Sequence, residues 1–535
     1  MKKRILLIIL IQAIVMSCYY YLVLPPINIT SSAFWSFIVF SLAILVGLLT
    51  LNNFTGGLKT IFNKKRLKDY SLSVVIIIGL IIVIIAGISI TNFICSPLFN
   101  AKSYSNRITI NEDGNFTEDV EKVDFNSLPL LDRDSSEKLG DRVMGQMSDL
   151  VSQFYVSNGY TQINYNNDII RVTSLEYADI IKWISNRKEG IKAYITVNSV
   201  NGESKLIKTE KGMKYMPSAF FNENLKRKLR FEFPTTIFGE SKFEIDNEGN
   251  PYWITPIKKY TGVGLKTKIV GVVVLDPVTG ETSKYNINEV PTWIDNAYDA
   301  NLIIEQVDDW GTYKGGFFNS IFGQKNVVNT TEGYNYLAMN DDIYMYTGIT
   351  SVLADESNLG FILTNMRTGE TIFYSVPGAE EYSAMKSAEG QVQQMKYNST
   401  FPLLINLNNN PTYLVSLKDA AGLVKMYGFV DVKDYQKVVV TDASKGIEVA
   451  AQNYLNTLDE EIKEDILITK EITIKNISTV VKSGNTYYYF MDELDKKYKA
   501  SINVSEKLPF IENGNTINIG YYESKDDIIE IKKLY

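Results

Sequence analysis

Three stretches near the start of the chain are apolar on every face: residues 5–24, 32–51 and 73–94, the last reading SVVIIIGLIIVIIAGISITNFI. None carries a charge, and each reaches the roughly 20 helical residues that a bilayer requires. Backbone groups in lipid must be satisfied within the segment, so the pattern predicts three transmembrane helices. From residue 95 onward the apolar positions follow periods of 3.6 and 2 instead. Helical spacing appears over 136–154, with Leu139, Val143, Met147, Leu150 and Val151 on one face. A second such helix is expected over 175–186, burying Leu175, Ala178, Ile181, Trp183 and Ile184, capped by Thr173 or Ser174 and ended by Gly190. Longer helices are expected over 379–395 and over 444–458, the latter burying Ile447, Ala450, Ala451, Tyr454 and Leu458.

Between these helices the period is 2 and the turns are polar. Hairpins are expected over 243–254, over 335–347 around Asn340-Asp341-Asp342, and around Asn408-Asn409-Asn410-Pro411. Residues 310–323 are rich in Gly and aromatics without either period. The last 70 residues alternate apolar and polar over 466–474, 478–482, 486–490, 498–504, 516–522 and 528–531, punctuated by Gly484, Pro509 and Gly514. Five or six short strands in that span suit a small β-barrel of the OB type. The fold class read from these patterns is three N-terminal transmembrane helices, then an α+β extracytoplasmic body with repeated β-hairpin–helix units and a C-terminal OB-like barrel. The corresponding boundaries are a membrane domain 1–94, an acidic tether 95–134 broken by Pro129, a first α+β unit 135–260, a repeated hairpin–helix region 261–460, and the barrel 461–535.

The repeat is explicit. Residues 271–282 (GVVVLDPVTGET) align without a gap on 360–371 (GFILTNMRTGET), with Tyr285 and Tyr374 in register and Val290-Pro291 and Val376-Pro377 following. A looser copy runs from Tyr194 through Asn198 to Asn201-Gly202-Glu203. In each, a β-branched run rises as a strand, Asp or Asn opens the turn, Gly supplies positive φ, and a partner strand descends. Glu281 and Glu370 read as solvated turn residues. A strand, Asp/Asn-x-x-Thr-Gly-Glu, strand and helix resembles the PepSY family of extracytoplasmic bacterial modules over about residues 174–435. The whole chain also looks like membrane-anchored proteins of Gram-positive bacteria. That resemblance implies a surface-exposed, non-catalytic binding or regulatory role and supplies no active-site residues.

Charge sets the expected orientation. Lys2, Lys3 and Arg4 precede the first span, the 25–31 link (PPINITS) is uncharged, and the 52–72 link carries five basic residues including Lys64-Lys65-Arg66. Basic links stay cytoplasmic, so the N-terminus is expected inside a bacterial cell membrane and everything after about residue 95 outside. Cys18 follows Val15-Met16-Ser17, loosely a lipoprotein box, but Tyr19–Leu24 continue the apolar run, which favours a span.

Composition narrows the chemistry. The chain has no histidine and two cysteines, Cys18 and Cys95, both in or beside the spans. Ser-His-Asp and Cys-His mechanisms and His-ligated metals are thereby excluded, as are thiolate chemistry and disulfides in the body. The net charge is −7, and with eight basic residues against Asp69 before residue 94 the body is strongly acidic. Nucleic acid is therefore not an expected partner. Ser383/Lys386 have Ser-x-x-Lys spacing but no downstream Lys-Thr-Gly. The 244–255 turn has Thr255 where a calcium loop needs Glu. No catalytic, cofactor or metal residues are nominated; a carboxylate-pair glycosidase site needs no histidine but has no local signature. Tyr487, Tyr488, Tyr489 and Phe490 form a candidate ligand-stacking surface, of which strand alternation requires about half to be core. The expected function is a membrane-anchored extracytoplasmic binding, scaffold or regulatory protein, its partners being the lipid bilayer and an envelope protein or wall polymer. The alternatives are an envelope hydrolase acting through a carboxylate pair and an accessory subunit of a transport or secretion complex.

Overall fold

The computed structural model describes residues 2–53, 72–125, 128–146, 148–352, 357–458, 468–482, 485–505, 507–521 and 528–535. The basic 54–71 link, Met147 and Gly484 lie outside them. The chain forms two compact units, residues 1–444 and 445–535.

In the first unit, helices α1 (Lys2–Val23), α2 (Ser32–Asn53) and α3 (Leu72–Ile94) coincide with the apolar stretches and are long and apolar enough to cross a membrane. Almost none of their side chains is buried within the protein. The amide of Gln12 on α1 donates to Ser41 O and Oγ on α2 at 2.8 and 2.9 Å, joining those helices.

The stretch expected as a tether is packed. Helix α4 (Pro97–Ser105) follows α3 directly, strand Ile110–Gly114 pairs in parallel with Thr371–Tyr374, and Ile108, Phe116, Val120 and Leu128 are buried. Its isolated apolar residues are each taken up by a neighbouring sheet, while most of the acidic ones between them stay in solvent. Helix α5 (Arg133–Gly145) starts at Asp132, whose carboxylate accepts from Ser135 N at 3.0 Å. It ends nine residues before the expected point, because Phe154–Val156 alternates buried, exposed, buried and joins a sheet. Leu175 likewise lies in a strand (Asp168–Tyr177), and α6 (Ile180–Asn186) is capped by Asp179, which accepts from Ile181 N and Lys182 N at 2.7 and 2.9 Å. Trp183 is buried there, but Ile181 and Ile184 are exposed. Helices α7 (Leu225–Glu232), α8 (Ala300–Tyr313) and α9 (Glu381–Gln391) complete the unit; α8 runs into the aromatic stretch for which no period was evident.

Four sheets make up the body, each built on an antiparallel meander of four successive strands: Thr161–Tyr165 to Ser204–Met213, Lys242–Ile245 to Thr282–Asn286, Asn335–Met339 to Thr371–Tyr374, and Leu403–Leu407 to Val438–Asp442. Two kinds of turn explain them. The first hairpins of sheets one, three and four close at Asn166-Asn167, Asn340-Asp341 and Asn408-Asn409, all six residues having φ between 50° and 69°, the pairing that two-residue hairpins require. The last hairpins close on the repeated motif. Asn198, Asp276 and Asn365 each accept from the backbone N–H groups two and three residues on, and Gly202, Gly280 and Gly369 hold φ of 75–77°. Asp431 makes the same two bonds to Lys433 N and Asp434 N, a fourth copy without Thr-Gly-Glu. Glu281 and Glu370 are exposed. The first strands face inward: Thr161–Tyr165 packs on Lys242–Ile245, and Asn335–Met339 on Leu403–Leu407.

The second unit holds α10 (Ile447–Leu455) and a closed barrel of strands Ile468–Lys482, Asn485–Asp492, Lys497–Ser501, Thr516–Tyr521 and Ile528–Leu534. The two runs expected at 466–474 and 478–482 are one long strand, bulged at Ile474/Asn476. Its first half pairs with the fourth strand and its second half with the second. Ile474, Phe490, Tyr498, Leu508, Ile519 and Ile531 fill the interior.

Asp492 gives the barrel a pH dependence. Burial works to raise its pKa, but Lys496 N–H, the Tyr498 hydroxyl and Lys470 donate to the carboxylate and hold it below the usual range. A depressed carboxyl stabilises above its unfolded value of about 3.9, and the contribution is lost as pH falls through the lower folded value. Hydrogen-exchange protection of the barrel amides is expected to drop below about pH 4 and to lose that acid limb in Asp492→Asn.

Candidate functional site

The inward-facing first strands enclose a cavity of about 510 Å³ to which all four sheets contribute. Arg171 supplies its dominant charge. It lies between Ile170 and Val172 in a strand buried from Ile169 to Tyr177, and is itself buried. Its Nε has no hydrogen-bond partner, and burial pushes its pKa down. Lys242 opens a strand of the second sheet and donates to Tyr298 O; burial pushes its pKa down as well, against Asp299, Glu244 and Glu240. Gln162, on the strand beside Arg171, leaves both amide atoms unpartnered. Tyr334, Tyr336 and Phe401 add aromatic walls from the third sheet and the loop before the fourth.

Asp132, Glu240 and Asp299 are the carboxylates at this wall; Asp299 caps α8, and Asp132, whose charge acts on Arg171, is also committed elsewhere. Burial raises its pKa, but Lys418 and Ser135 donate to it and hold it below the usual range. Arg171 is thus a buried cation that none of the described ion pairs includes. Isolating a charge from water costs several kcal/mol unless a partner compensates. The arrangement can therefore accept an anion with little reorganisation, with Gln162 and the tyrosines available for neutral polar groups.

Beside the cavity lies a sealed carboxylate pair. Glu244 accepts from Asp295 N and Asn296 N at 2.9 and 3.1 Å, and Asp295 accepts from Asn164 N at 2.7 Å. Burial pushes both carboxyls up, and the charge of Glu244 raises Asp295 further. Both are buried, accept from backbone N–H groups and line none of the cavities described, so they brace the strands instead of facing a groove. Among the described residues no three acidic or cysteine side chains converge as metal ligands.

A second cavity of about 1140 Å³ shares Arg133, Gly159, Glu240 and Ser241 with the first and extends to Leu22–Leu24 at the end of α1. A third, of about 830 Å³ between the first two sheets, is lined by exposed Lys205, Lys208 and Lys211 against Glu203, Glu210 and Glu248. Its charges face water and offset one another, so the central cavity is the better candidate. In the barrel, Tyr488 and Phe490 are core and Tyr487 and Tyr489 lie half-buried on the outer face. The four aromatics therefore do not form one stacking surface. None of the central-cavity residues was singled out from the sequence. The usable signal was an arginine inside an otherwise apolar run of a strand (IIRV).

No family model matches the chain, and no curated protein matches it. Among solved structures it is similar to a point mutant of the Bombyx mori GH32 β-fructofuranosidase BmSUC1 in complex with sucrose, at 10% identity and a TM-score of 0.21, covering 74% of this chain and 70% of that one. It is also similar to an α-L-arabinofuranosidase from Lactobacillus brevis at 7% identity and a TM-score of 0.14, covering 70% and 92%. At these scores the likenesses carry no argument about fold or chemistry.

Proposed function

We propose that this chain is a membrane-anchored, non-catalytic binding protein of the bacterial envelope. Its body lies outside the cell membrane and takes an anionic segment of an envelope polymer or partner protein into the central cavity. The observation that carries this reading is Arg171, a buried cation at a polar cavity that none of the described ion pairs includes, the nearby Asp132 carboxylate being held by Lys418 and Ser135. The sealed state of Glu244 and Asp295 favours binding over hydrolysis. The asymmetry of basic residues around the spans supports the outside placement, and the cavity reaching α1 gives a membrane-anchored polymer an approach from its lipid end. The resemblance of the hairpin motif to PepSY modules favours the same role. The barrel's strand order, first-second-third-fifth-fourth with third and fifth parallel, supports the OB reading.

The test is a thermal-shift titration of the full chain in detergent with glycerol phosphate oligomers, with chito-oligosaccharide as a neutral probe. The phosphate oligomer is expected to raise Tm in proportion to occupancy. Arg171→Met removes the charge at similar volume, should fold at least as stably, and should abolish the response. Stabilisation by the neutral sugar alone, or an unchanged response in Arg171→Met, would refute the reading.

A further inference from the structure

The body touches the three spans at one level. The link between α1 and α2 is held by Ile27 N donating to Pro234 O at 2.7 Å and Asn28 Nδ2 to Thr235 O at 3.0 Å. The 261–266 turn reaches Thr30 through Gly264 N at 2.8 Å and exchanges two bonds with Asn92 near the end of α3, Val263 N to Oδ1 at 2.8 Å and Nδ2 to Val263 O at 3.0 Å. Helix α7 sits on the end of α1, where Arg227 and Arg230 donate to Tyr21 O and Leu24 O. Tyr19, Tyr20, Tyr21 and Trp35 cluster at this level, the aromatic composition of a membrane–water boundary.

Two groups of apolar side chains stand exposed around it. The first is on α6, α7 and the turn Phe221–Glu223 before α7: Ile181 is 67% exposed, and Ile184, Phe221 and Phe231 are each more than half exposed. Phe231 lies within 6.1–6.2 Å of the rings of Tyr20 and Tyr21, and Phe221 packs on Trp183 of α6, so the group is continuous with the end of α1. The second follows α8. Its Asp309 contacts Lys266 of the 261–266 turn, and one helical turn further Tyr313 packs edge-on against Tyr104, whose hydroxyl donates to Cys95 O at the end of α3. Beyond that point Phe318 is 66% and Phe322 81% exposed. Lys226 and Lys228 border the first group and Lys314 and Lys325 the second. Exposed apolar side chains with basic neighbours, level with span ends, are what an interfacial membrane-binding surface requires.

We infer that this base of the first unit is itself a membrane-seating surface, its two apolar groups inserted at the headgroup–acyl boundary of the bilayer that α1–α3 cross, with its lysines on anionic headgroups. The inference rests on the three spans and is independent of the ligand assigned to the cavity. Single cysteines at Ile184, Phe221 and Phe322, with Cys18 and Cys95 replaced by alanine, carry nitroxide labels in the full chain in nanodiscs of zwitterionic and anionic phospholipid. Glu281→Cys is the reference. It is exposed at the far end of strand Thr267–Leu275, about 30 Å from the 261–266 turn at ~3.3 Å per residue. Power saturation is expected to show oxygen access several-fold above that of a water-soluble nickel chelate at 184, 221 and 322, and the reverse at 281. Aqueous readings like that of 281 at either group overturn the inference, and a lipid-depth reading at 281 as well does so by removing the contrast.

Discussion

Replacing Arg107 by alanine is expected to destabilise the first unit by about 3–5 kcal/mol, the cost of leaving a buried charge without its partner. Its side chain is 3% exposed and donates to Glu305 at 2.7 Å, to Asp309, and to Thr267 O from Nε and Nη2 at 3.2 and 2.6 Å. One guanidinium thus ties the segment after α3 to α8 and to the second sheet. Burial raises the pKa of Asp309 and Arg107 opposes it, with only Lys266 at 3.7 Å as an alternative. In Arg107→Ala the carboxylate is stranded, so adding Asp309→Asn should recover part of the loss. Urea unfolding of the full chain in detergent checks both. A cost below about 1 kcal/mol for Arg107→Ala, within what an exposed pair gives, would show that the ion pair is not structural.

Phe361→Ala should cost about 3–5 kcal/mol as well, here through a cavity. Phe361 is fully buried in the third sheet and meets Tyr413 of the fourth edge-on, with ring centroids 5.8 Å apart at 84°. It therefore joins two sheets that otherwise meet through few polar links, such as Ala379 N to Val432 O at 2.8 Å and the Tyr413 hydroxyl to Ala379 O at 2.9 Å. Hydrogen-exchange protection is expected to fall in both, while Phe361→Leu retains most of it. Loss confined to the third sheet would mean that the fourth is held by its other contacts alone.

The spans were legible because an unbroken apolar run has one solution in lipid. The hairpin turns were legible because Asn, Asp and Gly at fixed offsets are needed for positive φ. The fourth copy was missed because Asp431 opens the same backbone turn but lets a longer loop follow, so no Thr-Gly-Glu remains to align. Over 175–186 the spacing of Leu175, Ala178 and Ile181 imitates a helix, but Thr173 and Ser174 sit in a strand that runs on to Tyr177, so the helix starts only where Asp179 caps it. Ile181 and Ile184 fit a buried helical face by spacing and are exposed in the structure, because hydrophobicity alone does not say which apolar side chains a neighbouring element covers. The central cavity was hidden for a related reason. Its residues come from all four sheets and the loops between them, far apart in the chain, and only their shared position around the cavity reveals them.

Asn92, the Pro25–Ser31 link and the 261–266 turn form a set of rigid clamps where a loose leash had been expected. Five hydrogen bonds join the sheets of the first unit to the ends of its long apolar helices. In a bilayer, any tilt of those helices to match its thickness would be passed through these bonds to the sheets that line the pocket.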